Sequence, residues 1–317
     1  MTELVDKIGG GDERPTSDVG RGPGQNCESP SPKPIHEFYD QAAASYHQQY
    51  DESKLYDLTQ DYPANHFRLQ LLLKSFAEKK VKRVIEVGCG EGTPLIELGK
   101  MGMDVYGFDI SHEMVERAQQ TMMDHGMAAW RITWGDIQES STYHHAYKEL
   151  PLDALVAMGV MPHVKHDDLV LDNMSALVRP GGSVFIEFRN KLFSLFTLNR
   201  NTYEFFMNDL LPDVDSSLRG EVHRELRSWL RMDMPPRTDY DTILARFHNP
   251  LEMTDLFHQH GFTDVKFLWY HYHPAMPYLE DKMPELFRKE AIRLEGTSDW
   301  RGMFLCSAFI VEAVKDG

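Results

Sequence analysis

The chain has 317 residues and is poor in cysteine: it holds only Cys27, Cys89 and Cys306, which are widely spaced. No C-x-x-C pair or metal-knuckle spacing occurs, so the sequence predicts no bound metal. An odd and low cysteine count is typical of a reducing compartment, and we therefore expect a cytoplasmic protein.

Basic residues and long apolar runs are also scarce. The chain carries 33 Lys and Arg against 49 Asp and Glu, a net charge of −16. Nucleic-acid binding depends largely on neutralising phosphates, so we expect no nucleic-acid partner, and the same charge disfavours anionic membranes. No stretch approaches the roughly 20 apolar residues of a membrane span. The N-terminus lacks an apolar signal core, and we expect no membrane association.

The N-terminal part of the chain divides into a polar tail and a helical segment. Residues 1–34 are rich in Gly, Pro, Ser and Asp, and this composition predicts disorder. A regulatory tail is the alternative interpretation. Residues 35–80 contain two amphipathic patterns, "HEFYDQAAASYHQQYD" and "NHFRLQLLLKSFAEKK". These patterns predict an N-terminal helical cover for the domain that follows.

Strand-like and helix-like stretches alternate over residues 81–190, from "VKRVIEVG" to "SVFIEFRN". Such alternation predicts a doubly wound α/β fold, with a parallel sheet and helices on both faces. The rhythm breaks at residues 191–250, which predict a helical insertion. Insertions beside a sheet edge commonly form lids over a site. Residues 251–317 predict a helix and two strands that complete the sheet.

A glycine cluster connects the first predicted strand to the first helix of this domain. It is Gly88-Cys89-Gly90-Glu91-Gly92, with the spacing G-x-G-x-G. Glycines at a strand-to-helix turn let a ligand approach the backbone closely. The spacing differs from the dinucleotide fingerprint G-x-G-x-x-G, and no Lys-Ser/Thr follows as in a phosphate loop.

Two carboxylates at predicted strand ends narrow the choice of ligand. Glu86 precedes the first glycine, where it would repel a pyrophosphate but suit an ammonium group. Asp109 ends the second strand, where a carboxylate can accept both hydroxyls of a ribose. A ribose at one end and a cationic amino acid at the other describe S-adenosylmethionine.

Five motifs in order resemble the class I S-adenosylmethionine-dependent methyltransferases. They are "EVGCGEG", "GFDIS", "WGDI", "MGVMPHV" and "LVRPGGSVFIEF", which lie within residues 80–190. The resemblance implies a Rossmann-like sheet of seven strands whose antiparallel last strand inserts between two others. It also implies S-adenosyl-L-methionine as the cofactor and S-adenosyl-L-homocysteine as a product.

The resemblance implies particular roles around that cofactor. Glu86 and the glycine loop would bind the methionine end, Asp109 the ribose, and a segment around Asp136 the adenine. Cys89 stands where the family usually has a small residue, and we expect it to act as a small apolar side chain. The cofactor-binding residues predicted in this way are Glu86, Gly88, Cys89, Gly90, Gly92, Asp109, Ile110, Met114, Asp136, Ile137, Met158 and Gly159.

His163 is the candidate catalytic base, because it follows the fourth strand at the end that faces the methyl group in this fold. A hydroxyl acceptor needs such a base, whereas an amine only needs to arrive deprotonated. The alternative is a histidine that caps a turn. Asp167, Asp168, Asp172 and Asn173 are placed wrongly for a metal-dependent site, and we expect a solvated helix face there.

Further residues are candidates for the acceptor site. Arg189 suits a carboxylate or phosphate, or else pins the insertion to the sheet. His271 and His273 share one strand face and line the acceptor pocket, lie at the surface, or hold a metal. Tyr39 and Tyr46 either close over the cofactor or pack on the sheet. The predicted acceptor contacts are Tyr39, Tyr46, Arg189, Asn190, Tyr203 and His271.

These observations favour an enzyme that methylates an N or O atom of a small polar metabolite, such as one of specialised metabolism. Two rival functions stay open: a protein methyltransferase, and a cofactor-binding regulatory or assembly protein without turnover. The sequence leaves open whether the protein is a monomer or a homodimer.

Overall fold

A computed structural model describes residues 34–42, 50–147, 151–236 and 243–317, with the side chains of residues 41 and 42 outside the description. The predicted tail, residues 1–34, lies outside the described residues except for its last one. Tyr46 also lies outside them. Pro32–Gly317 form one compact unit.

In the described part of the chain, seven strands form one sheet in the order β3-β2-β1-β4-β5-β7-β6. β7 runs antiparallel between β5 and β6, while the strands from β3 to β5 are parallel. The predicted seven-stranded sheet with an inserted antiparallel last strand is therefore confirmed. The strands are β1 (Arg83–Val87), β2 (Asp104–Asp109), β3 (Ile132–Trp134), β4 (Leu152–Ala157), β5 (Val178–Arg189), β6 (Phe262–Tyr272) and β7 (Cys306–Lys315).

Helices cover both faces of the sheet and extend beyond it. The described helices are α1 (Ile35–Ala42), α2 (Ala64–Ala77), α3 (Thr93–Lys100), α4 (His112–Asp124), α5 (His144–Tyr147), α6 (Asp167–Leu177), α7 (Ser194–Thr197), α8 (Arg200–Glu204), α9 (Ser216–Trp229), α10 (Met253–Gln259), α11 (Pro284–Glu295) and α12 (Gly302–Leu305). A π-helix, Phe205–Leu210, follows α8. The sequence interpretation did not identify α11.

Alternation along the buried strands produces two apolar cores, one on each face of the sheet. In β1, Ile85 and Val87 join the core on one face, whereas Val84 joins the core on the other. Both faces are buried because helices cover them, as expected for a mainly parallel sheet. The insertion packs partly on itself around Met207, Leu226 and Leu230.

The order of the strands defines where a ligand can bind. The chain crosses from β1 outward to β2 and β3, and then returns to β4 on the other side of β1. At this reversal the loops after β1 and β4 diverge and leave a crevice at the carboxyl ends of the strands. The glycine loop and the loop after β4 both lie at this crevice.

The acidic residues at the start of α6 are more than a solvated helix face. Asp168 and Asp172 are exposed, and both bond to the imidazole of His260 at the end of α10, at 3.1 and 2.7 Å. Asp167 instead forms a two-pronged ion pair with Arg246. Asn173 donates to the carbonyl of Ile137 at 2.7 Å. The expectation of a purely solvated face is wrong for Asp167 and Asn173.

The contact between His260 and the two aspartates predicts a pH-dependent contribution to stability. Burial alone lowers the pKa of His260, but the hydrogen bonds and charges of Asp172 and Asp168 outweigh it, so the pKa is raised above 6.5. The stabilisation is therefore complete below pH 6.5 and is lost as the pH rises through the folded-state pKa. We expect His260→Gln to lower the Tm by about 1–3 °C at pH 6, allowing for solvent screening, and by less at pH 9.

Differential scanning calorimetry at the two pH values measures this effect. His258→Gln is the matched control, because His258 lies exposed on the same helix. An equal loss of Tm at pH 6 and pH 9 would show that the imidazole charge contributes nothing.

Candidate active site

A cavity opens at the carboxyl ends of β1, β2 and β4. Helix α1 closes one side of it, and the hydroxyl of Ser111, the N-cap of α4, bonds to Asp40 of α1. The cavity is lined by Ile35, Tyr39, Val87, Gly88, Gly90, Phe108, Asp109, Ile110, Met114, Gly135, Asp136, Ile137, Gln138, Met158, Gly159, Val160, His163 and Val164.

The glycine loop brings backbone directly to the cavity. The amides of Gly88 and Cys89 both donate to the carbonyl of Phe108, at 2.9 and 3.1 Å, which ties the loop to the end of β2. Gly88 has a φ of +67°, and a Cβ there would lie 2.7 Å from the side chain of Val160. Only glycine fits this close approach, because both the backbone conformation and the space exclude a side chain.

Asp109 is held rigidly at the tip of β2. One carboxylate oxygen accepts from the amide of Gly90 at 2.8 Å, and the other accepts from the amide of Ser111 at 2.9 Å. Burial raises the pKa of Asp109, while the amides of Ser111 and Gly90 act in the opposite direction. Each oxygen keeps lone-pair capacity, so the carboxylate can also accept hydroxyl groups from the cavity.

The part of the cavity next to Asp109 combines apolar walls with one further acidic residue. Ile110, Met114 and Ile137 supply the apolar surface. Asp136 accepts from the amide of Gln138 at 2.9 Å, which fixes its carboxylate beside them. An aromatic base with an exocyclic amino group matches this combination, because its faces are apolar and its edge donates hydrogen bonds.

Three predicted cofactor residues do not line the cavity. Gly92 is the N-cap of α3, with a φ of +85°. Cys89 is buried with its sulfur 3.8 Å from the Gly90 carbonyl oxygen, and burial raises its thiol pKa well above the ordinary value. It therefore stays protonated and packs as a small apolar residue, as expected.

Glu86 is the third, and it is buried behind the glycine loop. Its Oε2 has no hydrogen-bond partner among the described residues, and burial raises its pKa well above the ordinary value. An unpaired carboxylate oxygen in such a place is costly. A cationic group reaching it from the cavity would relieve that cost, and the role of Glu86 at an ammonium group stays a prediction.

Arg68 is a buried charge that the sequence interpretation missed. Helix α2 carries it to the sheet, where it donates to Glu187 at 2.5 Å and to the hydroxyl of Tyr50 at 3.0 Å. Its positive charge also lowers the pKa of Glu86, against the larger effect of burial. Tyr270 donates to the other oxygen of Glu187 at 2.6 Å. A guanidinium therefore lies beside the predicted ammonium site, among buried carboxylates.

His163 lies in the cavity wall, in a short 3₁₀ helix after β4. Its Nδ1 is 2.7 Å from the carbonyl oxygen of Leu244, and its Nε2 is 3.3 Å from the hydroxyl of Tyr39. Because a carbonyl can only accept, Nδ1 must carry the proton, and the neutral ring presents a lone pair at Nε2. Burial lowers the pKa of His163, so the ring is neutral at pH 7.

The predicted acceptor residues separate into two groups. Tyr39 lines the cavity. Arg189 lies close enough for its positive charge to lower the pKa of both His163 and His271. His271 lies outside the cavity lining. Its ring stacks on Tyr62, with centroids 5.1 Å apart, and burial lowers its pKa to about 4.

The structure does not bring Asn190 and Tyr203 to the cavity. The side-chain amide of Asn190 is fully buried and bonds to the backbone of Met303, Cys306 and Leu192, so it ties the end of β5 to α12 and the start of β7. Tyr203 bonds to His223 at 2.7 Å and packs in the small core of the insertion. Both expected acceptor contacts are therefore replaced by structural contacts.

Two features are absent from the described part of the chain. Among the described residues, no group of three or more His, Cys, Asp or Glu side chains is arranged to hold a metal ion. Nor does any described helix have the length and apolar character needed to cross a membrane.

Comparison with known sequences agrees with this geometry. A family model described as "Methyltransferase domain" matches residues 56–266. A ubiquinone biosynthesis O-methyltransferase of Vibrio parahaemolyticus is 27% identical over 226 residues, which cover 70% of this chain and 83% of that protein. The enzyme of the same name from Vibrio vulnificus is 30% identical over 153 residues, or 47% of this chain and 59% of that protein.

Solved structures share the fold at low identity. A SAM-dependent methyltransferase of Thermotoga maritima aligns with a TM-score of 0.50 and 13% identity, over 89% of this chain and all of that one. A chain from the complex between the Haloferax volcanii Trm112 methyltransferase activator and a methyltransferase aligns with a TM-score of 0.51 and 13% identity, over 88% and 98% of the two chains.

Proposed function

Because the chain belongs to the class I S-adenosylmethionine-dependent methyltransferases, we propose that it methylates a hydroxyl oxygen of a small polar metabolite. One observation carries this proposal: His163 and Asp109 line the same cavity. A residue that can accept a proton therefore shares the wall of the proposed cofactor site. The name shared by the Vibrio relatives, O-methyltransferase, supports an oxygen acceptor.

Residues of the cavity, together with Glu86 and Arg68 behind it, are assigned to S-adenosylmethionine from end to end. Asp109 is suited to the ribose hydroxyls, and Asp136 to the adenine amino group. Glu86 is suited to the ammonium of the cofactor's amino-acid moiety. We assign the carboxylate of that same moiety to the guanidinium of Arg68. The unpartnered oxygen of Glu86 supports the first of these two contacts. When bound, the cofactor would supply a methyl group on a positively charged sulfur, and the sulfur would leave as the neutral thioether of S-adenosylhomocysteine.

His163 then acts on the acceptor. Its Nε2 takes the proton of the acceptor hydroxyl as the oxygen attacks, and the ring becomes a cation. The Leu244 carbonyl accepts from Nδ1–H throughout, which keeps the ring oriented. The pKa of His163 is lowered by burial, so a neutral and competent base is present at neutral pH.

Two segments are proposed to complete the acceptor side. Residues 35–80 act as an N-terminal cover, supported by the position of Tyr39 at the cavity and of Arg68 beside Glu86. Residues 191–250 act as a lid, supported by the contact of Leu244 with His163. Residues 81–190 hold the cofactor, and residues 251–317 complete the sheet.

Incubating the protein with cofactor labelled in its methyl group and a metabolite extract tests the function. We expect label in small molecules. The labelled product should be a methyl ether, which is stable to acid. Label in protein would favour a protein acceptor instead. Binding of the cofactor without any transfer would favour a regulatory or assembly protein, and labelled methylamines would move the acceptor atom to nitrogen.

A further inference from the structure

The end of the insertion, which we call the return segment (residues 243–249), connects His163 to the sheet. The amide of Arg246 donates to the carbonyl of Pro162 at 2.9 Å, directly before His163. The amide of His248 donates to the carbonyl of Arg189 at 2.8 Å, at the end of β5. The Leu244 carbonyl that accepts from Nδ1 of His163 therefore belongs to a segment that is hydrogen-bonded at one point to Pro162 and at another to the end of β5.

An ion pair fixes the return segment to α6. The guanidinium of Arg246 donates to both carboxylate oxygens of Asp167, at 2.6 and 2.8 Å, and also to the carbonyl of Val164 at 3.3 Å. Nε2 of His248 lies 3.4 Å from the same carboxylate. Burial acts to raise the pKa of Asp167, but His248 and Arg246 outweigh it, and the pKa lies below the ordinary value.

We infer that the Arg246–Asp167 ion pair is a positioning device that fixes the tautomer of His163. The inference rests on the proposed function, in which Nε2 of His163 is the base. The pair holds the return segment against the start of α6. The amide of Arg246 keeps the segment beside the 3₁₀ helix of residues 161–163, and the segment carries the carbonyl that requires a proton on Nδ1. Arg246 and Asp167 are positioning residues, since they act through Leu244 and His163.

The tautomer decides whether His163 can act. With the proton on Nδ1, the lone pair at Nε2 faces the cavity side, where the Tyr39 hydroxyl lies. With the proton on Nε2, the same nitrogen could donate to the acceptor but could not take its proton. A bidentate pair is suited to this task, because two parallel hydrogen bonds fix orientation as well as distance.

The long-range proton–nitrogen NMR spectrum of selectively ¹⁵N-histidine-labelled protein reads this tautomer directly. The His163 signals are assigned by their loss in His163→Gln, and S-adenosylhomocysteine is present at saturation. We expect the wild type to carry the proton on Nδ1 alone. Arg246→Met should give both tautomers in comparable amounts. Arg246→Lys should restore the wild-type pattern in part, because lysine keeps the positive charge but cannot donate two parallel hydrogen bonds to Asp167.

Arg179→Met is the matched control, since Arg179 also pairs with an aspartate, Asp153 at 2.7 Å, away from the cavity. It should leave the tautomer unchanged. If Arg246→Met does not fold, Asp167→Asn is measured in the same way. A single Nδ1–H tautomer retained in the folded variants would overturn the inference. This readout needs no acceptor, so it is distinct from failure of His163 as a base, which appears only as unchanged turnover in His163→Gln.

Discussion

Replacing Asp109 with alanine is expected to weaken the binding of S-adenosylhomocysteine by about 100-fold or more. The carboxylate is oriented by the amides of Gly90 and Ser111 and is available to two ribose hydroxyls. Hydrogen bonds to a charged acceptor contribute about 1.5–3 kcal/mol each, so losing two of them costs about 3 kcal/mol or more. The variant also leaves two buried amides without their acceptor.

Isothermal titration calorimetry with S-adenosylhomocysteine measures this loss. Asp104→Ala is the matched control, because Asp104 begins the same strand and pairs with Arg131 at 2.8 Å, away from the cavity. Its Kd should stay within about twofold of the wild type. A wild-type Kd in Asp109→Ala would remove the ribose role and with it the assignment of the cavity.

Replacing His163 with glutamine should lower kcat by about 10²- to 10⁴-fold, the range found for general bases. Glutamine keeps a polar side chain of similar size but cannot take a proton. The Kd for S-adenosylhomocysteine should stay within about twofold, because His163 is assigned to the acceptor. In the wild type, kcat should fall on acidification only below pH 6.5, since burial lowers the pKa of His163.

The acceptor identified by the label experiment provides the assay for this variant. His125→Gln is the control, since His125 is exposed near the end of α4. Wild-type turnover in His163→Gln, with an unchanged acidic limb of the pH profile, would exclude His163 as the base. An amine acceptor would then be favoured, because an amine needs no base once it arrives deprotonated.

The succession of strands and helices could be predicted largely from local sequence patterns, whereas the inserted antiparallel strand and the cofactor-binding roles came from the resemblance to the family. Strand β1, the glycine loop and the start of α3 follow each other within 12 residues, and apolar runs on both sides define buried strands. Nine of the twelve predicted cofactor residues line one cavity, from Gly88 to Gly159. Glu86, Cys89 and Gly92 do not line this cavity. Spacing along the sequence does not decide which residues of a loop and of the strand before it face a cavity.

The acceptor side was harder to predict, because its residues meet through long-range contacts. Arg68 reaches Glu187 across 119 positions, and His163 bonds to the backbone of Leu244 across 81. A backbone carbonyl partner cannot be predicted from the residue type, because every residue has such a carbonyl. Asn190 directly follows a strand end, as a site residue often does, yet its amide donates to the carbonyl of Met303 in α12. Polar residues at strand ends serve either purpose, and only their packing separates the two.

The central claim is that the crevice at β1, β2 and β4 is a site for S-adenosylmethionine. Calorimetric titration of the purified full-length chain with S-adenosylmethionine and its demethylated product, with NAD⁺ in parallel, tests it most directly. We predict one mole of each of the first two ligands bound per chain, at micromolar Kd, and no heat of binding for NAD⁺. Binding of the dinucleotide without binding of the sulfonium nucleoside or its product would contradict the account.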